Sequence, residues 1–199
     1  MDKIKVHDKC FRPFLRNSEI LAATAEVAKR LSRDYADSPQ PIVLLCVLKG
    51  AIPFTAALMQ CLDNEAELAC IKVSSYEGMN QSGSVNVGYC SHSDFSGRDV
   101  IICEDIVDTG LTIRRLKEYL LEKGARSVKT CCMLLKPAKF EARLVRDNII
   151  PAEHTPDMVR KFAPEYYAME IPDDFVVGFG LDYDEYGRGY KDIYTLCEE

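Results

Sequence analysis

The feature that most constrains the fold is the stretch from Val100 to Ile113, Val-Ile-Ile-Cys-Glu-Asp-Ile-Val-Asp-Thr-Gly-Leu-Thr-Ile. It opens on apolar residues rich in β-branched side chains, which predict a strand buried on both faces. Glu104 and Asp105 interrupt that run, and Asp108 to Thr112 reads as a polar, glycine-bearing turn. Helical periodicity follows, with Ile113, Leu116 and Leu120 at i, i+3 and i+7 on one helix face and Gly124 placed to end the helix. Strand, acidic turn and helix in that order are the parts of an open α/β sheet, which takes ligands where strand carboxyl ends meet helix amino ends.

The same pattern recurs along the chain. Asn17 or Ser18 can cap a helix from Glu19 to about Tyr35, and Ile42 to Leu48 predicts a second buried strand. A helix from about Pro53 to Cys61 and a strand from Leu68 to about Ser74 come next, and Ser127 to Leu135 is a further buried strand. This alternation predicts an α/β fold, a mostly parallel sheet with helices on both faces. Residues 3–14 read as a short edge segment. Tyr166 to Ile171 and Phe175 to Phe179 read as short strands, and Gly180 onward reads as loop and tail. The terminal segments, about 1–14 and 166–199, are expected to pair as a small hood over a core of about 15–138. Residues 140–165, with Pro151, Pro156, Pro164 and a His154 read as a surface residue, are given no chemistry.

Composition narrows the class. A chain of 199 residues, 47% hydrophobic, can bury one sizeable core and is expected to form one domain. No run of 18 apolar residues is present, and the amino terminus lacks the apolar centre of a signal peptide, so neither a membrane nor secretion is expected. Cys46, Cys70, Cys103 and Cys131 fall in apolar runs without C-x-x-C spacing and read as small core residues of a reduced, cytoplasmic protein. Adjacent Cys131 and Cys132 would face opposite sides of a strand, which argues against a zinc site. The net charge of −6 provides no footprint for nucleic acid. No G-x-G-x-x-G follows the first strand, so a dinucleotide-binding oxidoreductase is a poor fit.

Four places carry candidate chemistry. The amides around Thr109, Gly110, Leu111 and Thr112 would lack partners at the start of a helix and suit a phosphate, with the two threonine hydroxyls adding donors. Glu104 and Asp105 suit a polyhydroxylated or Mg²⁺-bearing part of the same ligand. The plain alternative is a helix cap, Asp108 or Thr109, beside two solvated acids. Lys49-Gly50 at a strand end can present an ammonium and bare amides to an anion, or can be a routine turn. Ser75 to Ser84 reads as a mobile lid or a plain hairpin. Lys136, at the end of its strand, can donate to a carbonyl oxygen or simply face water.

Glu104-Asp-Ile-Val-Asp-Thr-Gly-Leu-Thr112 closely resembles the phosphoribosyl pyrophosphate (PRPP) motif of the type I phosphoribosyltransferases, in the wording of their hypoxanthine-guanine branch. The other parts of that family's pattern occur in order, so the resemblance covers nearly the whole chain. It implies the type I phosphoribosyltransferase fold, a mostly parallel sheet flanked by helices under a small hood. It implies Mg²⁺-dependent transfer of the phosphoribosyl group from PRPP to a 6-oxopurine, hypoxanthine or guanine. By the same resemblance Glu104 and Asp105 hold the ribose and metal, residues 108–112 hold the 5′-phosphate, and Asp108 is the general base. Lys49, Gly50 and Arg188 contact pyrophosphate, and Ser75 and Tyr76 open the closing loop. Lys136 donates to the purine O6, Phe175 and Val176 hold the base, and Asp182 serves base and metal. Ala51 stands where the family often has a second glycine, and 140–165 is longer than the usual connection and is read as an insertion. The resemblance also implies a homodimer or homotetramer. Two other readings stay open: a xanthine-preferring transferase, and a regulator of the same fold that binds RNA.

Overall fold

The computed structural model describes residues 2–75, 85–92 and 94–197. The amino-terminal strands β1 (Ile4–Val6) and β2 (Lys9–Leu15) lead into helix α1 (Asn17–Asp34). Then follow β3 (Ile42–Leu48), α2 (Ile52–Gln60), β4 (Ala66–Ser75), β5 (Val85–Cys90), β6 (Asp99–Val107), α3 (Leu111–Glu122) and β7 (Ser127–Leu135). The remaining elements are α4 (Pro137–Arg146), the single-turn α5 (Pro156–Arg160), and strands β8 (Tyr166–Glu170), β9 (Val176–Val177) and β10 (Ile193–Cys197).

Six strands form the larger sheet in the order β5-β4-β3-β6-β7-β8. All its pairs are parallel except β4 with β5, an antiparallel edge. Because side chains alternate along a strand, β6 supplies two cores at once. Ile101 and Cys103 pack against α1 and α2, with Ile20, Leu31, Phe54 and Leu58. Val100 and Ile102 pack against α3, with Leu116 and Leu120. Cys131 and Cys132 likewise enter different clusters, and the cysteines are free thiols. Burial pushes the Cys46 thiol up to about 11, so it stays protonated and acts as a small apolar side chain. No helix is long and apolar enough to cross a membrane among the described residues.

Several boundaries differ from expectation. β6 does not stop at Glu104; it runs through both acids to Val107, because β7 continues the ladder on one side after β3 leaves it at Cys103. Neither Asp108 nor Thr109 caps α3. Gly110, at φ +71°, is the capping residue, and no side chain bonds to the first turn. Arg16, not Asn17 or Ser18, caps α1, and its own N–H donates to Glu19 (2.8 Å). The segment read as a tail contains β10, which sits between β2 and β9 in a separate sheet ordered β1-β2-β10-β9. Tyr166–Glu170 joins the larger sheet beside β7, so the smaller sheet draws only on the chain from β9 onward at this end. Of the strand expected over Phe175 to Phe179, only Val176 and Val177 are regular; Phe179 has φ +48°. His154 lies at the surface and is partnered there: Nε2 lies 2.9 Å from Glu141, and Nδ1 lies 3.0 Å from the Pro151 carbonyl.

The start of β6 is anchored by charge. Asp99, 8% exposed, accepts from Arg126 Nε (3.0 Å), Ser127 Oγ (2.6 Å) and Ser38 Oγ (3.2 Å). The Arg126 guanidinium, helped by the hydroxyls, holds its carboxyl at about 2, below the ordinary 3.8. A folded value below the unfolded one stabilises the protein fully above pH 3.8, and the benefit is lost as pH falls through about 2. Asp99→Asn should therefore cost about 1–2 kcal/mol at neutral pH, after allowance for the part-exposed Arg126. Urea unfolding at several pH values checks this: the gap to the natural chain should close between pH 4 and pH 2, and a constant gap would refute the assignment.

Candidate active site

Continuing β6 through Glu104 and Asp105 sends two consecutive carboxylates to opposite faces of the sheet. Glu104 enters a cavity of about 90 Å³ that it shares with Val107, Asp108, Thr109, Gly110 and Thr112 at the amino end of α3. The first-turn amides of α3 have no side-chain cap and open toward this space. Gly110 is needed twice over: φ is +71°, and a Cβ would stand 2.5 Å from the Phe140 ring. Burial pushes the Glu104 carboxyl well up, and Asp105 adds like-charge repulsion. Burial also raises Asp105, against the pull of its own bond from the Ile106 amide (2.8 Å) and of the Arg188 charge.

Asp105 turns to the other face, onto the loop between β3 and α2. A Cβ on Gly50 would overlap its carboxylate, and a Cβ on Gly180 would overlap the Gly50 carbonyl. The β3–α2 loop, the end of β6 and the segment after β9 are thus packed backbone to backbone. The Leu48–Lys49 peptide bond is cis. Arg188 lies 2.9 Å from Asp182 Oδ1 and donates through Nη1 to the Gly180 carbonyl (2.9 Å). Lys49, Gly50, Asp105, Asp182 and Arg188, spread over 139 positions of chain, are brought together at one place.

A second charged group stands beside it. Lys136 is only 6% exposed, and its ammonium lies 3.3 Å from Asp108 Oδ1 and 3.1 Å from Asp173. Lys139 reaches Asp108 Oδ2 (2.9 Å) and Asp173 (3.2 Å). Asp108 Oδ1, near the Lys136 charge, accepts no hydrogen bond from the described residues. The two lysines hold Asp173 below the ordinary carboxylate range, and the two acids push Lys139 up. Phe175 keeps a 44% exposed ring, with Tyr183 edge-on (5.9 Å) and Phe11 behind it (6.2 Å). Val176 is buried and pairs through its backbone with Thr195 of β10. Ser75 ends β4 opposite Val85; Tyr76 lies outside the described residues.

Three residues of the site escaped the sequence reading. Lys139 and Asp173 complete the cluster around Lys136, and Glu185 bridges Lys49 and Arg188. The spacing of Lys139 three residues after Lys136 was the available signal, since that interval returns to one helix side. Asp173 and Glu185 sit in acid-rich turns with no periodicity to distinguish one carboxylate from the next.

This arrangement, acids at a central strand end, bare amides behind them and cations on both flanks, is a site for a phosphorylated, polyhydroxylated ligand. The phosphoribosyl transferase domain model matches residues 14–156. The chain belongs to the phosphoribosyltransferase family. Its relatives lie in the hypoxanthine-guanine branch. It is 33% identical to the hypoxanthine-guanine phosphoribosyltransferase of Aquifex aeolicus, covering 96% of this chain and 98% of that one. It is 37% identical to the one of Streptococcus thermophilus, covering 91% and 90%. Among solved structures, hypoxanthine phosphoribosyltransferase of Trypanosoma cruzi matches with a TM-score of 0.79, at 31% identity over 98% of this chain and 95% of that one. The Staphylococcus aureus enzyme matches at 0.76 and 30% identity, over 94% and 91%.

The contact between Gly50 and Asp105 is open to direct test. Gly50→Ala must push the Asp105 carboxylate or the loop aside and should cost about 1–3 kcal/mol. Thermal unfolding measures it, and an unchanged melting temperature would place the Asp105 side chain elsewhere.

Proposed function

We propose that this protein is a purine-salvage enzyme that transfers the 5-phosphoribosyl group from PRPP to hypoxanthine or guanine. The products are the 5′-mononucleotide, IMP or GMP, and pyrophosphate. The observation that carries this reading is the pairing of Glu104 and the uncapped start of α3 around one small cavity, with Asp108 and Lys136 at its edge. A Trypanosoma cruzi relative of similar structure has been solved with its product IMP.

Cleaving the bond from the anomeric carbon to pyrophosphate builds oxocarbenium-like charge on the ribose, as glycoside cleavage does. The protein has to hold base and sugar in line and to balance charge on the departing group. In our reading the amides of residues 109–112 and the two threonine hydroxyls hold the 5′-phosphate, while Glu104 and Asp105 hold the ribose. Lys49, the Gly50 backbone and Arg188 take the pyrophosphate oxygens. Lys136 donates to O6 of the base, Phe175 stacks on its face, and Val176 backbone groups with Asp182 complete its edge. Asp108 takes the proton from purine N7 as the bond to N9 forms, through an Oδ1 that accepts no hydrogen bond from the described residues in the resting protein. Ser75 and Tyr76 begin the loop that excludes water.

The donor set fits Mg²⁺. Glu104 and Asp105 are hard oxygen donors crowded by burial and by each other, and a dication relieves both costs. No cluster of three potential ligand side chains exists among the described residues. The ion would therefore be shared with substrate oxygens and water, as magnesium sites usually are. Glu104 and Asp105 would hold it beside the ribose, directly or through water, Asp182 would hold a second ion through water, and when bound the metal supplies charge neutralisation at the pyrophosphate. We further propose a cytoplasmic enzyme, one catalytic unit over residues 1–199, that works as a homodimer or homotetramer, with residues 140–165 as an insertion.

Turnover with PRPP, Mg²⁺ and each of hypoxanthine, guanine, xanthine and adenine should be highest for the first two, and preference for xanthine or adenine would overturn the substrate reading. Asp108→Asn should lower kcat by about 10²–10⁴ while nucleotide affinity changes only a few-fold. Equal losses in both would assign Asp108 to binding alone. EDTA should abolish turnover, and added Mg²⁺ should restore it; activity that survives EDTA would remove the metal from the reading.

A further inference from the structure

The two cations read above as pyrophosphate contacts do not stand free in the resting protein. Lys49 Nζ lies 3.0 Å from Glu185 Oε2, and Arg188 Nη2 lies 3.1 Å from the same oxygen. One carboxylate oxygen set between an ammonium and a guanidinium is the environment that a phosphate oxygen takes in an anion site. The chain goes to some trouble to place it there. Asp184 and Glu185 both adopt left-handed backbone, at φ +50° and +69°, in a turn closed by hydrogen bonds between Tyr183 and Tyr186. Such conformations are disfavoured for residues with a Cβ and persist where surrounding contacts enforce them. Here the Glu185 N–H donates to Asp182 Oδ2 (2.8 Å), while Asp182 Oδ1 holds Arg188. Asp182 thus fixes both the turn and the guanidinium, and the Glu185 side chain completes the ring of charges.

The two acids differ in how firmly they are held. Asp182 has both oxygens engaged and is 31% exposed, whereas Glu185 is 61% exposed and uses one oxygen. An exposed carboxylate on a flexible stem pairs weakly and exchanges readily. Pyrophosphate, with more charge and more acceptor oxygens, can displace it without disturbing Asp182.

We propose that Glu185 is an internal counter-anion that occupies the pyrophosphate subsite and competes with pyrophosphate for Lys49 and Arg188. The inference rests on the reading of Lys49 and Arg188 as pyrophosphate contacts. Its consequence is kinetic as well as thermodynamic: Glu185 returns to the cations as product leaves, which raises the rate of pyrophosphate release. It is not a catalytic residue, since it touches neither base nor ribose.

The test is calorimetric titration of the full chain with pyrophosphate in the presence of Mg²⁺, for the natural protein, Glu185→Gln, Glu185→Ala and Lys49→Ala. IMP affinity within two-fold of natural serves as the check that each variant is folded. Removal of the competing charge should tighten pyrophosphate about 3–10-fold in both Glu185 variants. The KM for pyrophosphate in the reverse reaction should fall in parallel. A role confined to holding the turn predicts the opposite sign, because disordered cations bind more weakly. Unchanged or weakened binding in the Glu185 variants, with Lys49→Ala weakened, would overturn the proposal and leave the pyrophosphate reading in place. If Lys49→Ala binds as well as the natural protein, the pyrophosphate reading itself fails and the proposal falls with it.

Discussion

Everything at the site follows from putting two consecutive carboxylates at the end of a central strand of the sheet. Glu104 and Asp105 extend β6 along β7, past the point where β3 leaves the ladder, and burial there makes the charged forms costly. A strand cannot send neighbours to the same side, so the cost is divided between two faces. Glu104 faces the start of α3, where unpaired amides and the positive end of the helix dipole are available. Asp105 faces Gly50, whose missing Cβ makes room for it, and feels the charge of Arg188.

That division gives the site its two halves. On one face an anion can sit on helix amides; on the other a more highly charged group can sit among Lys49, Arg188 and the loop backbone. A ligand with a phosphate at each end and hydroxyls between spans the two. Neither half is left as bare charge in the resting protein. Lys136 and Lys139 are held by Asp108 and Asp173, and Lys49 and Arg188 by Asp182 and Glu185. Binding is therefore an exchange of one set of ion pairs for another, and most of these partners stay near solvent, where such exchange is inexpensive.

Much of the sheet was legible in the residues. Ile42 to Leu48 is a continuous apolar run and Ser127 to Leu135 becomes one from Cys131 onward, and each forms a strand with those same limits. The PRPP-type motif is local, so its residues needed no tertiary information to be picked out. The errors fell where one sequence pattern serves two structures. Acidic residues usually end strands, yet Glu104 and Asp105 remain in β6 because β7 supplies the ladder. Ile193–Cys197 follows a glycine-rich, acidic loop and reads as a tail, but β2 and β9 wait on either side of it.

The sequence by itself determined the alternation of strands and helices, the acidic strand end and the glycine at the start of α3, because these depend on hydrophobic period and backbone freedom. Only the tertiary structure decided which charges meet. Lys49 with Glu185, Lys139 with Asp173 and Asp105 with Gly50 are separated by long stretches of chain. No local preference relates such residues. Their pairing is set by the parallel sheet, which gathers the carboxyl ends of its central strands at one edge and lays the segment after β9 across them.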